Sequence, residues 1–198
     1  MMRRYINPSP EQWKVLTQRG SASYSSLEPL AKEVFNNVAQ YGDQALMTYT
    51  EKFDNVKLEN FSVVAEEIEL AKSRVPERLK LAIQKAKDNI HRFHTAQKTE
   101  EVKVEIQKGI NCWQKKLPIE KVGLYIPGGS AALFSTILML AVPAQVAGSS
   151  KVVLCSPPDS KGELPDVILY TADLCGIDTI FKVGGMQAIA GMTLGTAT

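Results

Sequence analysis

Pro127-Gly128-Gly129-Ser130 follows a short apolar run and precedes a longer one, the pattern of a strand-to-helix turn. Two adjacent glycines let a bound group approach the backbone, and the amides that open a helix favour anions such as a phosphate. The segment is not G-x-G-x-x-G, and it is not a P-loop, since no Gly-Lys-Ser/Thr follows. A βα turn needs glycine for its own geometry as well, so both uses stay open here. Gly184-Gly185-Met186-Gln187 occupies the equivalent place after a later apolar run. Gln187 then falls in the first turn of a helix, where its amide can bond a ribose or a base. An exposed polar residue in that position more often meets only solvent. Tyr125 closes the first strand, where its ring can face a ligand or fill the core, the commoner fate of a strand tyrosine.

His91 and His94 are the only histidines. Their spacing puts them on neighbouring positions of one helix face, which can support a metal. No cysteine or carboxylate completes a ligand set and there is no His-Glu-x-x-His, so structural or solvent roles outweigh metal binding. Cys112, Cys155 and Cys175 lie in apolar stretches and read as inert core thiols. They are too few and too scattered for a disulfide framework, which fits a reducing compartment. No general base, activated nucleophile or metal site is recognisable from residue types alone.

The elements that must hold these residues come in two styles. Ser9-Pro10-Glu11-Gln12 is a capping box with proline at the first helical position. Ser25-Ser26-Leu27-Glu28 opens a helix with Leu30, Ala31, Val34, Phe35 and Val38 at helical spacing, stopped by Gly42. Asp43 caps a further segment carrying Ala45, Leu46, Tyr49 and Phe53, and residues 55–64 are expected to hold one short strand. The longest helix is predicted over about Glu77 to Lys98, with Leu79, Ile83, Ala86, Ile90 and Phe93 on one face. From Val102 the period drops to two and Gly109 turns the chain, a β-hairpin that ends at Leu117-Pro118.

Beyond Pro118 the pattern is strand, glycine turn and helix, repeated. Strands are predicted at 122–126, 151–155 and 179–183, with helices at 131–147, 165–175 and 186–194. The fold class is α/β: a helical N-terminal region with a β-hairpin, followed by an incomplete Rossmann-like parallel βαβαβα sheet. The expected organisation is an N-terminal arm with a short helix over 1–24, a helical region with hairpin over 25–118, and the sheet over 119–198. Ligands on open parallel sheets bind beyond the carboxyl ends of the strands, where the glycine turns lie.

Composition excludes other classes. The 198 residues include 23 basic and 21 acidic side chains, a formal net charge of +2 that gives no footprint for nucleic acid. The apolar stretch from Ala131 to Ala147 is interrupted by Ser135, Thr136, Pro143 and Gln145. It falls short of the ~20 residues that cross a bilayer, so no membrane segment is expected, and neither is a signal peptide.

Val122-Gly-Leu-Tyr-Ile-Pro-Gly-Gly-Ser130 and Leu133-Phe-Ser-Thr-Ile-Leu-Met-Leu-Ala-Val-Pro-Ala144 closely resemble the histidinol dehydrogenase family. So do Lys151-Val-Val-Leu-Cys-Ser-Pro-Pro158 and Val183-Gly-Gly-Met-Gln-Ala-Ile-Ala190. Gly42-Asp43, Lys52-Phe53-Asp54, Ala65-Glu66-Glu67-Ile68 and Phe93-His94-Thr95-Ala96-Gln97 match in the same order. The resemblance runs from about Ser25 to Thr196. It implies oxidation of L-histidinol through the aldehyde to L-histidine, with NAD⁺ reduced at each step, by a zinc-dependent cytoplasmic homodimer of histidine biosynthesis.

It further implies that Tyr125 and Gln187 match the family's NAD-contacting tyrosine and glutamine. Gly128, Gly129, Ser130 and Ser135 would then line the cleft. Many relatives carry Tyr-Pro-Ser-Ser where this chain has Leu133-Phe134-Ser135-Thr136, a local departure. The family's zinc ligands, its Glu-His acid/base pair and a further NAD-contacting asparagine match nothing here and lie downstream. The chain therefore reads as an N-terminal portion, inactive alone. The alternative is a non-catalytic nucleotide-binding or assembly module with the same fold.

Overall fold

In a computed structural model, residues 4–18, 24–129 and 131–198 are described, and the chain divides into two units, residues 1–33 and 34–198. In the first, α1 (Pro10–Leu16) starts where the capping box predicts. The Ser9 amide donates to Gln12 Oε1 at 3.0 Å, and Pro10 needs no partner because it has no N–H. None of its residues is buried. α2 (Glu28–Tyr41) begins in this unit with a Lys32–Glu28 ion pair of 2.9 Å. Both partners are largely exposed, so the pair adds only a few tenths of a kcal/mol.

α2 continues into the second unit, where Val34 and Val38 are buried. Gly42, at φ +53°, ends it and starts α3 (Asp43–Asp54), because a side chain there would be strained. Asn37 Nδ2 donates to Tyr49 Oη at 2.6 Å and ties the two helices together. The strand expected over 55–64 does not form. Only a single antiparallel bridge, Ser62 to Phe181, flanked by two backbone bonds, touches the sheet there.

Instead the chain enters α4 (Ala65–Arg74), a helix that the sequence reading missed. Glu67 Oε2 accepts from the Val64 amide at 3.0 Å, half of a capping box with valine where a hydroxyl would stand. α5 (Glu77–Ala96) forms as expected, yet its apolar stripe closes early. Ile83 is buried and Leu79, Ala86 and Ile90 are half-buried, while Phe93 remains 62% exposed.

The hairpin is present as β1 (Val102–Gln107) and β2 (Ile110–Gln114), with Gly109 at φ +83° in the turn. Every residue of both strands is exposed. Cys112 therefore is no core thiol, contrary to its apolar sequence surroundings. Period-two alternation says which side chains share a face and not what covers that face.

The remainder is a parallel sheet of β3 (Lys121–Tyr125), β4 (Lys151–Cys155) and β5 (Thr179–Phe181) in sequential order. α6 (Phe134–Ala147) joins the first two strands, α7 (Asp166–Leu174) joins the next two, and α8 (Gly185–Leu194) follows the last. Leu124, Leu154 and Ile180 stand side by side in register and are buried together. They belong to the main core with Ile137 and Leu138 of α6 and Ile168, Leu169 and Ala172 of α7. Such burial is what a parallel sheet requires.

Leu154 sits in the central strand with no exposed surface. Leu154→Ala should lower the unfolding free energy by about 2–5 kcal/mol in urea titration. Ile106→Ala on the exposed hairpin should change it by no more than about 0.5 kcal/mol. Equal losses would mean that the hairpin carries a core of its own.

Candidate functional site

The ladder of the sheet runs on past the named strands. The Ile126 amide donates to Cys155 O at 2.9 Å, and the Ser156 amide donates to Phe181 O at 3.1 Å. Those bonds bring three loops together: Pro127-Gly128-Gly129 after β3, Ser156-Pro157-Pro158 after β4, and Val183-Gly184-Gly185 after β5. Pro157 lies at the centre. A Cβ on Gly128 would stand 2.5 Å from Pro157 Cγ, and one on Gly184 would stand 2.4 Å from Pro157 Cβ. Packing on the proline ring therefore demands both glycines. Gly129 differs, since its φ is +144° and a Cβ there would meet nothing within 4 Å.

Beside these loops opens a cleft of about 390 Å³, lined by Gly128, Gly129, Ser156, Pro157, Asp54 and Asp159 among others. Ser130, also expected to line the cleft, lies outside the described residues. Ser135 is exposed in the first turn of α6 and is not among the lining residues.

Tyr125 and Gln187 come together at the Gly184-Gly185 turn. The Gly185 amide donates to Tyr125 Oη at 3.1 Å, so the end of β3 holds the start of α8. Gln187 is not the solvated first-turn residue that its position suggested. It has no exposed surface. Its Nε2 faces Asp54 Oδ2 at 3.5 Å, and its buried Oε1 has no hydrogen-bond partner. Neither Tyr125 nor Gln187 is among the residues that line the cleft.

Asp54 and Asp159 do line it, and the reading of residue types singled out neither. Burial raises the Asp54 carboxyl above the ordinary aspartate range. Asp159 moves the other way, because the backbone amide of Glu163 and then that of Lys161 donate to it. The only sequence signal for Asp54 was its place in the Lys52-Phe53-Asp54 motif.

Residues 17–198 match the family model described as histidinol dehydrogenase. The chain belongs to the histidinol dehydrogenase family. It is 48% identical over 196 residues to a histidinol dehydrogenase of Bacteroides thetaiotaomicron, covering 99% of this chain and 46% of that protein. Another, from Mannheimia succiniciproducens, is 49% identical over 95% of this chain and 43% of its own length. The crystal structure of histidinol dehydrogenase from Elizabethkingia anophelis superposes with a TM-score of 0.92 at 47% identity, covering 98% of this chain and 45% of that one. The chain thus spans less than half the length of these histidinol dehydrogenases.

The two histidines stand apart from the cleft on the last turns of α5. His94 Nδ1 is 2.7 Å from Gln97 Oε1, and His91 Nδ1 is 3.5 Å from Thr95 Oγ1. Among the described residues no group of three or more His, Cys, Asp or Glu is placed to hold a metal. The thiols divide by environment. Burial pushes Cys155 up to about 12 and raises Cys175 as well, while Cys112 is exposed. In a titration with an aromatic disulfide at about pH 8, only Cys112 should react in the folded protein, because the thiolate is the nucleophile. Cys155 and Cys175 should follow after denaturation. Rapid reaction of all three cysteines in the folded state would contradict the buried placement.

Proposed function

We propose that this chain is an N-terminal portion of a histidinol dehydrogenase and forms part of its dinucleotide cleft. The whole protein would oxidise L-histidinol through the aldehyde to L-histidine as a cytoplasmic homodimer. The observation that carries the cofactor assignment is the Tyr125–Gly185 hydrogen bond. It joins the tyrosine and the glutamine-bearing helix that the family resemblance marks for NAD, at the carboxyl ends of a parallel sheet where such ligands bind.

The residues present fit part of a dinucleotide. Gly129 leaves its backbone open beside the cleft, and the turn leads into α6, whose first amides lack intrahelical acceptors. NAD, when bound, supplies the hydride acceptor. This chain's share would be to bind and orient it: Gly129 by close backbone approach, Tyr125 by its phenol, and Gln187 by shaping the wall behind the turn.

Zinc fits no set of described residues. No residue of the cleft is assigned as the base for an alcohol proton either: Asp159 is committed to its loop, and Asp54 is already engaged by the Gln187 amide. The chain by itself is therefore proposed to bind nucleotide without turning over.

Calorimetric titration with NAD⁺ tests the assignment. Tyr125→Ala should weaken binding about tenfold or more, the loss of one or two hydrogen bonds, and Gln187→Ala should weaken it indirectly by loosening the wall behind the turn. Unchanged affinity in both variants removes them from the site. Purified chain mixed with L-histidinol and NAD⁺ should produce no NADH, and steady NADH formation would overturn the proposed inactivity.

A further inference from the structure

Asp54 ends α3, and its side chain serves two places at once. Its Oδ2 faces the buried amide of Gln187, and the same carboxylate lines the cleft beside Gly128 and Gly129. Its Oδ1 lies beside Gly184, 3.3 Å from where a Cβ on that residue would stand. Gln187 itself does not reach the cleft. Asp54 is the residue that connects them.

The chemistry of the lining narrows what this carboxylate meets. Among the described residues that line the cleft there is no lysine, arginine or histidine. Of the two carboxylates, Asp159 is satisfied by its own loop, with Oδ1 accepting from the Lys161 amide at 2.8 Å and the Glu163 amide at 3.0 Å. Asp54 forms none of the ion pairs seen among the described residues, and its amide contact with Gln187 is long. A carboxylate with no cation beside it is free to accept hydrogen bonds from uncharged hydroxyls. A ribose carries two such donors on adjacent carbons, which suits a carboxylate with one oxygen free and the other only loosely engaged.

We propose that Asp54 is a further ligand-contacting residue of this cleft, its carboxylate accepting a hydrogen bond from a ribose hydroxyl of the bound dinucleotide. Gln187 is then a positioning residue that restrains the carboxylate from behind. This explains how a side chain with no exposed surface can matter to a ligand that it does not touch. The proposal rests on the NAD reading above and adds a group that the reading lacked.

Calorimetry on the full 198-residue chain separates the two. The probes are NAD⁺ and two analogues, one lacking the 2′ and 3′ hydroxyls of the adenosine ribose and the other those of the nicotinamide ribose. The wild type should discriminate about tenfold or more against one analogue, as expected for a hydrogen bond to a charged acceptor. Asp54→Ala should bind NAD⁺ that much more weakly and lose the discrimination, and Asp54→Asn should fall between. Far-UV circular dichroism checks that each variant is folded, and the isosteric Asn variant decides the matter if Ala unfolds. Discrimination unchanged in the Asp54 variants would overturn the assignment while leaving the NAD reading intact. Absence of any NAD⁺ binding by the wild type would overturn both.

Discussion

The arrangement of the strand-end loops depends on one contact: the ring of Pro157 fills the space where side chains on two neighbouring loops would stand. Residues 128 and 184 can only be glycine while it remains there, since backbone and ring are stiff and neither can retreat from a Cβ at about the distances found. The three loops are thereby drawn to one point, and the cleft opens where the packing ends, at Gly129. This separates two explanations that a glycine-rich turn always invites. Gly128 and Gly184 answer to packing, while Gly129 answers to open space and a positive φ that other residues rarely adopt.

The two faces of the sheet are filled differently. One row, Leu124 with Leu154 and Ile180, closes against α6 and α7 without exposed surface to speak of. The other carries Val153, Cys155 and Phe181 toward α3 and α8, and it leaves an apolar hollow of about 190 Å³ lined also by Leu46, Ala188 and Met192. Interiors are normally packed without such spaces. The same apolar surroundings that leave the hollow keep the Cys155 thiol protonated, because a thiolate there would lose its hydration without gaining a partner.

What was legible in the sequence was what local pattern dictates. α1, α2, α3, α5 and the alternation beyond Pro118 announce themselves through caps, periods and glycine stops, and the structure follows them within a few residues. α4 was not legible, because its ten residues bury only Ile68 and Ala71 and its cap lacks a hydroxyl. Short helices take their stability from what they pack on, here α7, and that partner lies far along the chain. The exposure of the hairpin and of Phe93 was hidden for a related reason. A stripe of apolar residues states a face and leaves its neighbour unnamed. Asp54 was obscured by distance, since it meets Gln187 across 133 positions of sequence.

The Tyr125 phenol shows why a residue suited to ligand binding can look purely structural. Gly185 is the first residue of α8, and the amides of a helix's first turn have no acceptors within the helix. Tyr125 Oη takes that amide and so acts as a cap supplied from a strand 60 residues away. A phenol accepts and donates at once, so satisfying the helix leaves its proton available to another acceptor. The bond also fixes where α8 begins, and with it the depth at which Gln187 and Asp54 meet. Structural and binding roles are thus carried by different valences of one hydroxyl, and neither has to yield for the other to operate.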